Sequence, residues 1–465
     1  MASEPIISVS GLRGIVGETL TPDVAYRYAA AFAVTLPGGP VVVTRDGRAN
    51  GPQLVGPIVA GLSQNGGRRV LDGGVAATPT TGVLVKALGC AGGIQISASH
   101  NPAEYNGMKL FSAEGRVVPA NVGARVLERY RGARGEERGA RGEERGASFD
   151  AQDASRERIG DTIAAHLALV LRTVNAERIR AARFRVLLDS NHGAGSVLGR
   201  PLLEALGCEV TVLGETPDGL FGHMPEPTAE NLSGVREQVT KVGAHIGFCQ
   251  DPDADRLAMI DEAGRYIGEE YTPAICVDHV LRHTPGPVVT NCSTSRMAED
   301  LARKYGVPFY RSAVGEANVV DEMLKRGAVI GGEGNGGVID PRVVLVRDSF
   351  VSMALVLDAM AERRLTVSAI ADELPRYAIF KSKVTVSREA IASSLDALER
   401  HFGDAASDRL DGLRLDWTHR DGSGSWLLVR ASNTEPIVRI IAEAPSELEA
   451  RRLCDEAAGV MARTA

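Results

Sequence analysis

The sequence predicts an α/β fold of three related α/β domains with mixed sheets, followed by a smaller C-terminal α+β domain. Three observations carry the prediction. Short β-branched runs alternate with amphipathic stretches as far as residue 370, the pattern of strands and helices in largely buried sheets. Glycine follows helical stretches where a strand is due, as at Gly207 in LEALGCEVTVL and Gly306 in LARKYGVPFYR, the expected helix stop. Beyond residue 370 the strands become neighbours joined by turns, which favours an antiparallel sheet.

In chain order, strands are expected at Val41–Thr44, Arg69–Asp72, Gly93–Ser97, Phe184–Asp189, Ile246–Gln250, Pro287–Thr290 and Ala328–Gly331. Helices are expected at Pro22–Leu36, Gly195–Leu206, Arg296–Tyr305 and Ser349–Arg363. The unit recurs over 1–172, 173–275 and 276–370, and a fourth module fills 371–465. That module reads as a strand in KSKVTVSREA, a helix near Ile391–Phe402, and two strands joined by a hairpin turn at Gly422-Ser423-Gly424. The strand IVRIIAEA and a last helix from Glu447 complete it. Residues 131–153 stand apart, beginning with RGARGEE written twice and then RGA. No apolar face is present to hold a helix against a protein, and the glycines oppose helix. A disordered, solvent-exposed insertion is expected there.

Composition is that of a globular protein, 44% hydrophobic and 24% charged over 465 residues. The formal charge of −7 gives no electrostatic reason to expect a nucleic-acid partner. No apolar run is long enough to span a membrane. MASEPIISVSGLRG lacks the basic start and apolar run of a secretory signal. Six cysteines, scattered without CxxC pairs, suit reduced thiols better than a disulfide frame or a zinc site. The expectation is a cytoplasmic enzyme, monomeric or homodimeric.

Four segments carry chemistry. Ile96-Ser97-Ala98-Ser99-His100-Asn101-Pro102 ends an apolar strand in a polar loop closed by proline, which puts Ser99 at a carboxyl end, where α/β sheets bind ligands. Ser99 is a candidate nucleophile, with His100 and Lys109 as orienting groups or proton carriers. The same loop could equally cap the next helix. Asp251-Pro252-Asp253-Ala254-Asp255-Arg256 sets three carboxylates at alternate positions between two strands. Such hard oxygen ligands suit Mg²⁺, and unpaired they would repel one another, so a cation or basic partner is expected. A calcium-hand loop starting at Asp251 would end on Glu262, but Arg256 stands where that loop needs glycine. Gly331-Gly332-Glu333-Gly334-Asn335-Gly336-Gly337 lets backbone approach a ligand, with Glu333 and Asn335 to bond a polar substrate such as a sugar. Arg430-Ala431-Ser432-Asn433-Thr434-Glu435-Pro436, with Arg439 beyond it, offers a fork of donors to a phosphate. Arg13, held in Ser10-Gly11-Leu12-Arg13-Gly14, adds a basic group for a transferring phosphoryl.

Together SASHNP, DPDADR, GEGNGG and RASNTEP, in this order and spacing, resemble the phosphoserine, metal, sugar-recognition and phosphate-binding loops of the α-D-phosphohexomutase family. SGLRG, TRDGR and the VAATPT segment around Thr78 are similar too, and the resemblance covers essentially the whole chain outside 131–153. It implies four domains around a central cleft. It implies that Ser99 carries the phosphoryl group and that Asp251, Asp253 and Asp255 bind Mg²⁺, a phosphoserine oxygen completing the site. Arg256 would neutralise charge beside the metal, Arg13 and Lys109 would serve proton transfer and charge stabilisation, and Glu333 would contact ring hydroxyls. Arg430, Ser432, Asn433 and Thr434, with Arg439 close by, would grip the non-reacting phosphate.

The implied reaction interconverts hexose 6-phosphate and hexose 1-phosphate through phospho-Ser99 and a hexose 1,6-bisphosphate, which also serves as activator. A fourth domain closing about a hinge near 365–380 would hold the bisphosphate while it turns over. Departures bear on the substrate. Asn335-Gly336 stand where many members have serine and often histidine, Val314-Gly315-Glu316-Ala317-Asn318 lacks a lysine seen in some, and Asn433 replaces a usual glycine. GEGNGG and VGEAN look most like the phosphoglucosamine mutase branch, with phosphomannomutase and phosphoglucomutase as the alternative. Readings of another class are a metal-dependent phosphatase and a non-catalytic sugar-phosphate sensor; the sensor would need neither Ser99 nor the three aspartates.

Overall fold

The computed structural model describes residues 4–8, 10–64, 67–137, 156–420, 422–431 and 437–464. Three mixed sheets share one plan. In the first, Gly92–Ile96, Val41–Arg45, Val70–Val75 and Arg156–Arg158 run parallel. Tyr105–Ser112 turns back antiparallel on Gly92–Ile96, and Gly11–Ile15 and Ile6–Ser8 extend the sheet beyond it. In the second, Ile246–Gln250, Arg185–Asp189 and Glu209–Leu213 are parallel, and Leu257–Asp261 turns back on Ile246–Gln250. In the third, Phe309–Ser312, Val288–Asn291 and Ile330–Glu333 are parallel, and Gly337–Ile339 turns back on Ile330–Glu333. Each domain thus ends a parallel strand at its carboxyl edge and reverses at once. The reversals, 97–104, 251–256 and 334–336, hold the sequence motifs.

The first sheet packs Val41, Val43, Ile94 and Leu110 on Phe32, Leu54 and Ile58 of the helices Pro22–Ala33 and Pro52–Ser63. A larger core is continuous through the first three domains and gathers Leu84, Val85, Leu188, Phe248, Ile330 and Phe350. At its centre the helix Ser349–Arg363 is buried without a break from Ser349 to Met360, as a helix apolar nearly all round must be. Asp348 caps it, accepting from Phe350 N at 2.8 Å and Val351 N at 3.3 Å. The second Asp348 oxygen lies 2.8 Å from His166 Nε2, whose Nδ1 is 2.9 Å from Thr80 Oγ1. A polar chain therefore pins the first domain to the end of the central helix.

The fourth unit is a five-stranded antiparallel sheet, ordered Ala378–Thr385, Ile437–Ala444, Gly424–Ala431, Leu413–Thr418 and Ala406–Asp408. The helices Arg388–His401 and Glu447–Thr464 cover one face through Leu395, Leu398 and Leu453. The other face sets Trp426 and Leu428 against Cys292 of the third domain. Three mixed α/β sheets and one antiparallel sheet make the fold class read from the sequence the one observed. Among the described residues no helix is long and apolar enough to cross a membrane.

Two local expectations are corrected. The strand expected at Ala328–Gly331 lies at Ile330–Glu333, because Gly327 ends the preceding helix left-handed and Ala328 N bonds back to Met323 O. Glu333 is therefore the last strand residue. The first RGARGEE copy is helical, as the end of Ala120–Glu137. A helix already started adds residues cheaply, and arginine and glutamate are good helix formers. The rest of the 131–153 expectation lies outside the described residues. Helices also run across two of the expected domain divisions, Tyr271–His283 at 275/276 and Val367–Asp372 at 370/371.

Trp426 is fully buried at the third–fourth domain contact, and its Nε1 donates to Glu443 Oε1 at 2.7 Å. Trp426→Ala should destabilise the fourth domain by about 3–5 kcal/mol, read as a lower urea midpoint for that transition in the full chain. Trp426→Phe should lose clearly less.

Candidate active site

Ser99 stands in the reversal after Gly92–Ile96 with φ +52, a left-handed conformation that a serine holds only when its surroundings insist. The constraint is Arg48. Its buried guanidinium donates to four loop carbonyls, Ser99 O, Asn101 O and Pro102 O each at 2.6 Å and Tyr105 O at 3.1 Å. Its Nε bonds Asp46 Oδ2 at 3.1 Å, and that oxygen also accepts Ser97 Oγ–H at 2.7 Å. Ser97 Oγ in turn accepts Ser99 N–H at 2.9 Å. Asp46 and Arg48 of TRDGR therefore shape the loop. Sequence reasoning assigned them no role, although an Asp-x-Arg at a strand's carboxyl end was there to see.

The reversal after Ile246–Gln250 turns through Ala254 at φ +56 and buries all three aspartates completely. Each can offer an oxygen within 4.8 Å of the others. Asp251 Oδ2 accepts Ser99 Oγ–H at 2.7 Å, across 152 residues of sequence, while Asp251 Oδ1 accepts the N–H groups of Asp255 and Arg256 at 3.1 Å. Thr78 Oγ1 at 2.5 Å and Lys109 Nζ at 2.6 Å bond Asp253 Oδ2. Lys109 also reaches Asp255 Oδ2 at 2.7 Å. Asp253 Oδ1 and Asp255 Oδ1 are buried without a hydrogen-bond partner among the described residues. Two orphaned carboxylate oxygens beside Asp251 and Ser99 Oγ form an all-oxygen donor set that fits Mg²⁺.

Cations from other domains close round this loop. Arg347, which sequence reasoning missed, donates at 2.6 Å both to Asp255 Oδ2 and to Glu333 Oε2, and its N–H reaches Glu316 Oε1 at 2.9 Å. Burial pushes Asp255 up, yet Arg347, Lys109 and Arg256 outweigh it and hold its carboxyl well below the usual range. Burial, with Asp253 and Asp255 beside it, holds Asp251 well above that range. Burial also works against the Lys109 charge, but Asp253 and Asp255 prevail and raise it above its ordinary value. His100 Nδ1 lies 3.4 Å from Ser99 Oγ; burial, then Arg256 and Arg13, lower it to about 2, so the imidazole is neutral. Arg13 Nη1 reaches Asn101 Oδ1 at 3.3 Å, alongside the serine loop.

At the glycine-rich 331–337 segment Glu333 is buried, accepting from Asn291 Nδ2 at 2.7 Å and Gly315 N at 3.2 Å as well as Arg347. Asn335 Oδ1 has no partner. Gly336, at φ +81, packs so closely that a Cβ would stand 2.3 Å from Leu257 O, and Leu257 N donates to Gly336 O at 3.1 Å. The 334–336 loop is thereby seated on the strand that leaves the three-aspartate loop. In the fourth domain Arg430 and Arg439 pair directly across neighbouring strands, and Lys383 faces Arg439 on the next. Arg430 Nε bonds Asp411 Oδ2 at 3.1 Å. Ser432, Asn433 and Thr434 lie outside the described residues.

Arg48→Lys keeps one charge but cannot span four carbonyls. Steady-state turnover should fall about 100-fold, the cost of a small misplacement of a reacting group, with the circular dichroism spectrum unchanged.

Family models described as phosphoglucomutase/phosphomannomutase alpha/beta/alpha domains I, II and III and the C-terminal domain match residues 6–136, 164–264, 269–377 and 382–460. The chain is 38% identical to the "Phosphoglucomutase/phosphomannomutase" of Thermococcus kodakarensis, with 95% of each covered. It is 33% identical to a "Probable phosphoglucosamine mutase" of the same organism, with 96% of each covered. A crystal structure of a phosphoglucomutase/phosphomannomutase family protein from Burkholderia thailandensis superposes with a TM-score of 0.80 at 26% identity, covering 99% of this chain and 98% of that one. On this likeness over nearly its full length, the chain belongs to the phosphoglucomutase/phosphomannomutase family and is a phosphohexomutase, an isomerase.

Proposed function

We propose that the protein moves a phosphoryl group between the 6- and 1-hydroxyls of a hexose by way of phospho-Ser99. The observation that carries this is the 2.7 Å contact of Ser99 Oγ with Asp251 inside a ring of cations. In the first half-reaction a hydroxyl oxygen of the bound monophosphate attacks the phosphorus of phospho-Ser99. The bond to Ser99 Oγ breaks, the hydroxyl proton ends on Ser99 Oγ by way of the neighbouring proton carriers, and a hexose 1,6-bisphosphate forms. The bisphosphate turns over in the cleft, and the reverse transfer of its other phosphate restores phospho-Ser99. Lys109 and Arg13 serve proton transfer and charge stabilisation at the reacting oxygens, His100 orients Ser99, and Arg256 neutralises charge beside them. Asp251, Asp253, Asp255 and a phosphoserine oxygen would hold Mg²⁺, which supplies positive charge to the phosphoryl oxygens. Glu333 and Asn335 bind ring hydroxyls. Arg430, Arg439 and the loop carrying Ser432, Asn433 and Thr434 hold the non-reacting phosphate, the fourth domain closing about 365–380.

Glucosamine phosphate is the favoured substrate, supported by the GEGNGG and VGEAN forms and by relatives named for that activity. Mannose and glucose phosphates are the second reading, supported by the 38%-identical relative named phosphoglucomutase/phosphomannomutase. Ser99→Ala should abolish mutase turnover, at least about 1,000-fold as expected for a lost covalent step, while the fold persists. Normal turnover by folded Ser99→Ala sinks the mechanism, and stoichiometric release of free phosphate would make the enzyme a phosphatase. With Mg²⁺ and a trace of the matching bisphosphate, kcat/KM should be highest for glucosamine 6-phosphate against mannose 1-phosphate and glucose 1-phosphate. A higher value for either competitor transfers the assignment to it.

A further inference from the structure

The first domain carries a cavity of about 440 Å³ that shares no lining residue with the site above. Its walls are the carboxyl ends of Val41–Arg45, Val70–Val75 and the edge strand Arg156–Arg158, with the first turn of the helix Pro52–Ser63. Parallel sheets bind ligands at this edge. Three arginines reach it against one carboxylate. Asp72 is already committed, accepting Arg156 Nε and Nη2 at 3.1 and 2.6 Å and Gly74 N at 2.9 Å. Among the described residues the Arg45 guanidinium donates only to the Asp46 carbonyl, at 3.3 Å, and the Arg158 side chain has no hydrogen bond or ion pair. Arg158 Nη2 stands over the Gly73–Gly74 turn, 3.8 Å from where a Gly74 Cβ would be. Two unmatched guanidiniums at one concavity attract anions, and their forks fit a phosphate. Pro52, Val55 and Ile159 add an apolar patch, and the volume lies within the range of small-molecule sites.

We propose that this cavity binds an organic phosphate of nucleotide size, its phosphate on Arg45 and Arg158 and its body against Pro52, Val55 and Ile159. The ligand touches two segments that lead directly to the catalytic centre. Arg45 precedes Asp46, which holds Arg48 and Ser97. Val75 continues through Ala76, whose N–H bonds Arg45 O at 3.0 Å, to Thr78, which holds Asp253 by its hydroxyl at 2.5 Å and its N–H at 2.9 Å. The site is therefore an effector site for turnover.

Calorimetric titration of the full chain with AMP tests it, beside Arg158→Glu, an exposed position outside the catalytic machinery, checked for fold by circular dichroism. The expected result is one AMP per chain, weakened at least about tenfold in Arg158→Glu by loss of a charge-assisted contact. That variant should turn over like the wild type without AMP, and AMP should change kcat or KM of the wild type alone. No binding at millimolar AMP, or equal affinity in both proteins, overturns the site. Binding that leaves kcat and KM unmoved overturns the effector role.

Discussion

Three carboxylates with no exposure to solvent form the constraint on which the cleft depends. Left alone, Asp251, Asp253 and Asp255 would repel one another, and burial would force protons onto them. Two are held ionised instead by Lys109 from the first domain and Arg347 from the third, which converge on Asp253 and Asp255. Asp251, which neither cation touches, is the carboxyl pushed upward, and it is the one that meets Ser99. The balance is a property of the assembled domains. Removing either cation leaves an uncompensated buried charge, far costlier than losing a surface pair.

The geometry comes from one topological device used repeatedly. A parallel strand reaches its carboxyl edge, reverses, and returns antiparallel: Gly92–Ile96 into Tyr105–Ser112, Ile246–Gln250 into Leu257–Asp261, Ile330–Glu333 into Gly337–Ile339. The fourth sheet offers its own reversal between Gly424–Ala431 and Ile437–Ala444. The first three reversals meet because a shared core runs through the first three domains, the buried helix Ser349–Arg363 within it. Seating Gly336 against Leu257 then sets the glycine-rich loop relative to the three-aspartate loop.

What was legible in the sequence was local. Alternate aspartates between two strands and a serine at a strand's end announce themselves within a few residues. Arg347 did not, since a single arginine at the end of the apolar run VVLV acquires meaning only by meeting Asp255, 92 positions away. Arg48 was hidden likewise: its role lies in four carbonyls more than 50 residues downstream. The strand at Ile330 and the helical first repeat were misread for another reason. Both depend on how a neighbouring helix ends or continues, which periodicity judges poorly.

Chain order gives the separation between Ser99 and Asp251 a consequence for synthesis. A ribosome adding roughly 5–20 residues per second takes roughly 8–30 s to go the 152 positions from Ser99 to Asp251. During that interval a nascent first domain already contains Arg48 and Asp46, so its serine loop can be shaped early. It has neither the aspartates nor Arg347, so the charged cluster around Asp255 does not yet exist. The Ser99 hydroxyl is built first and meets its aspartate last.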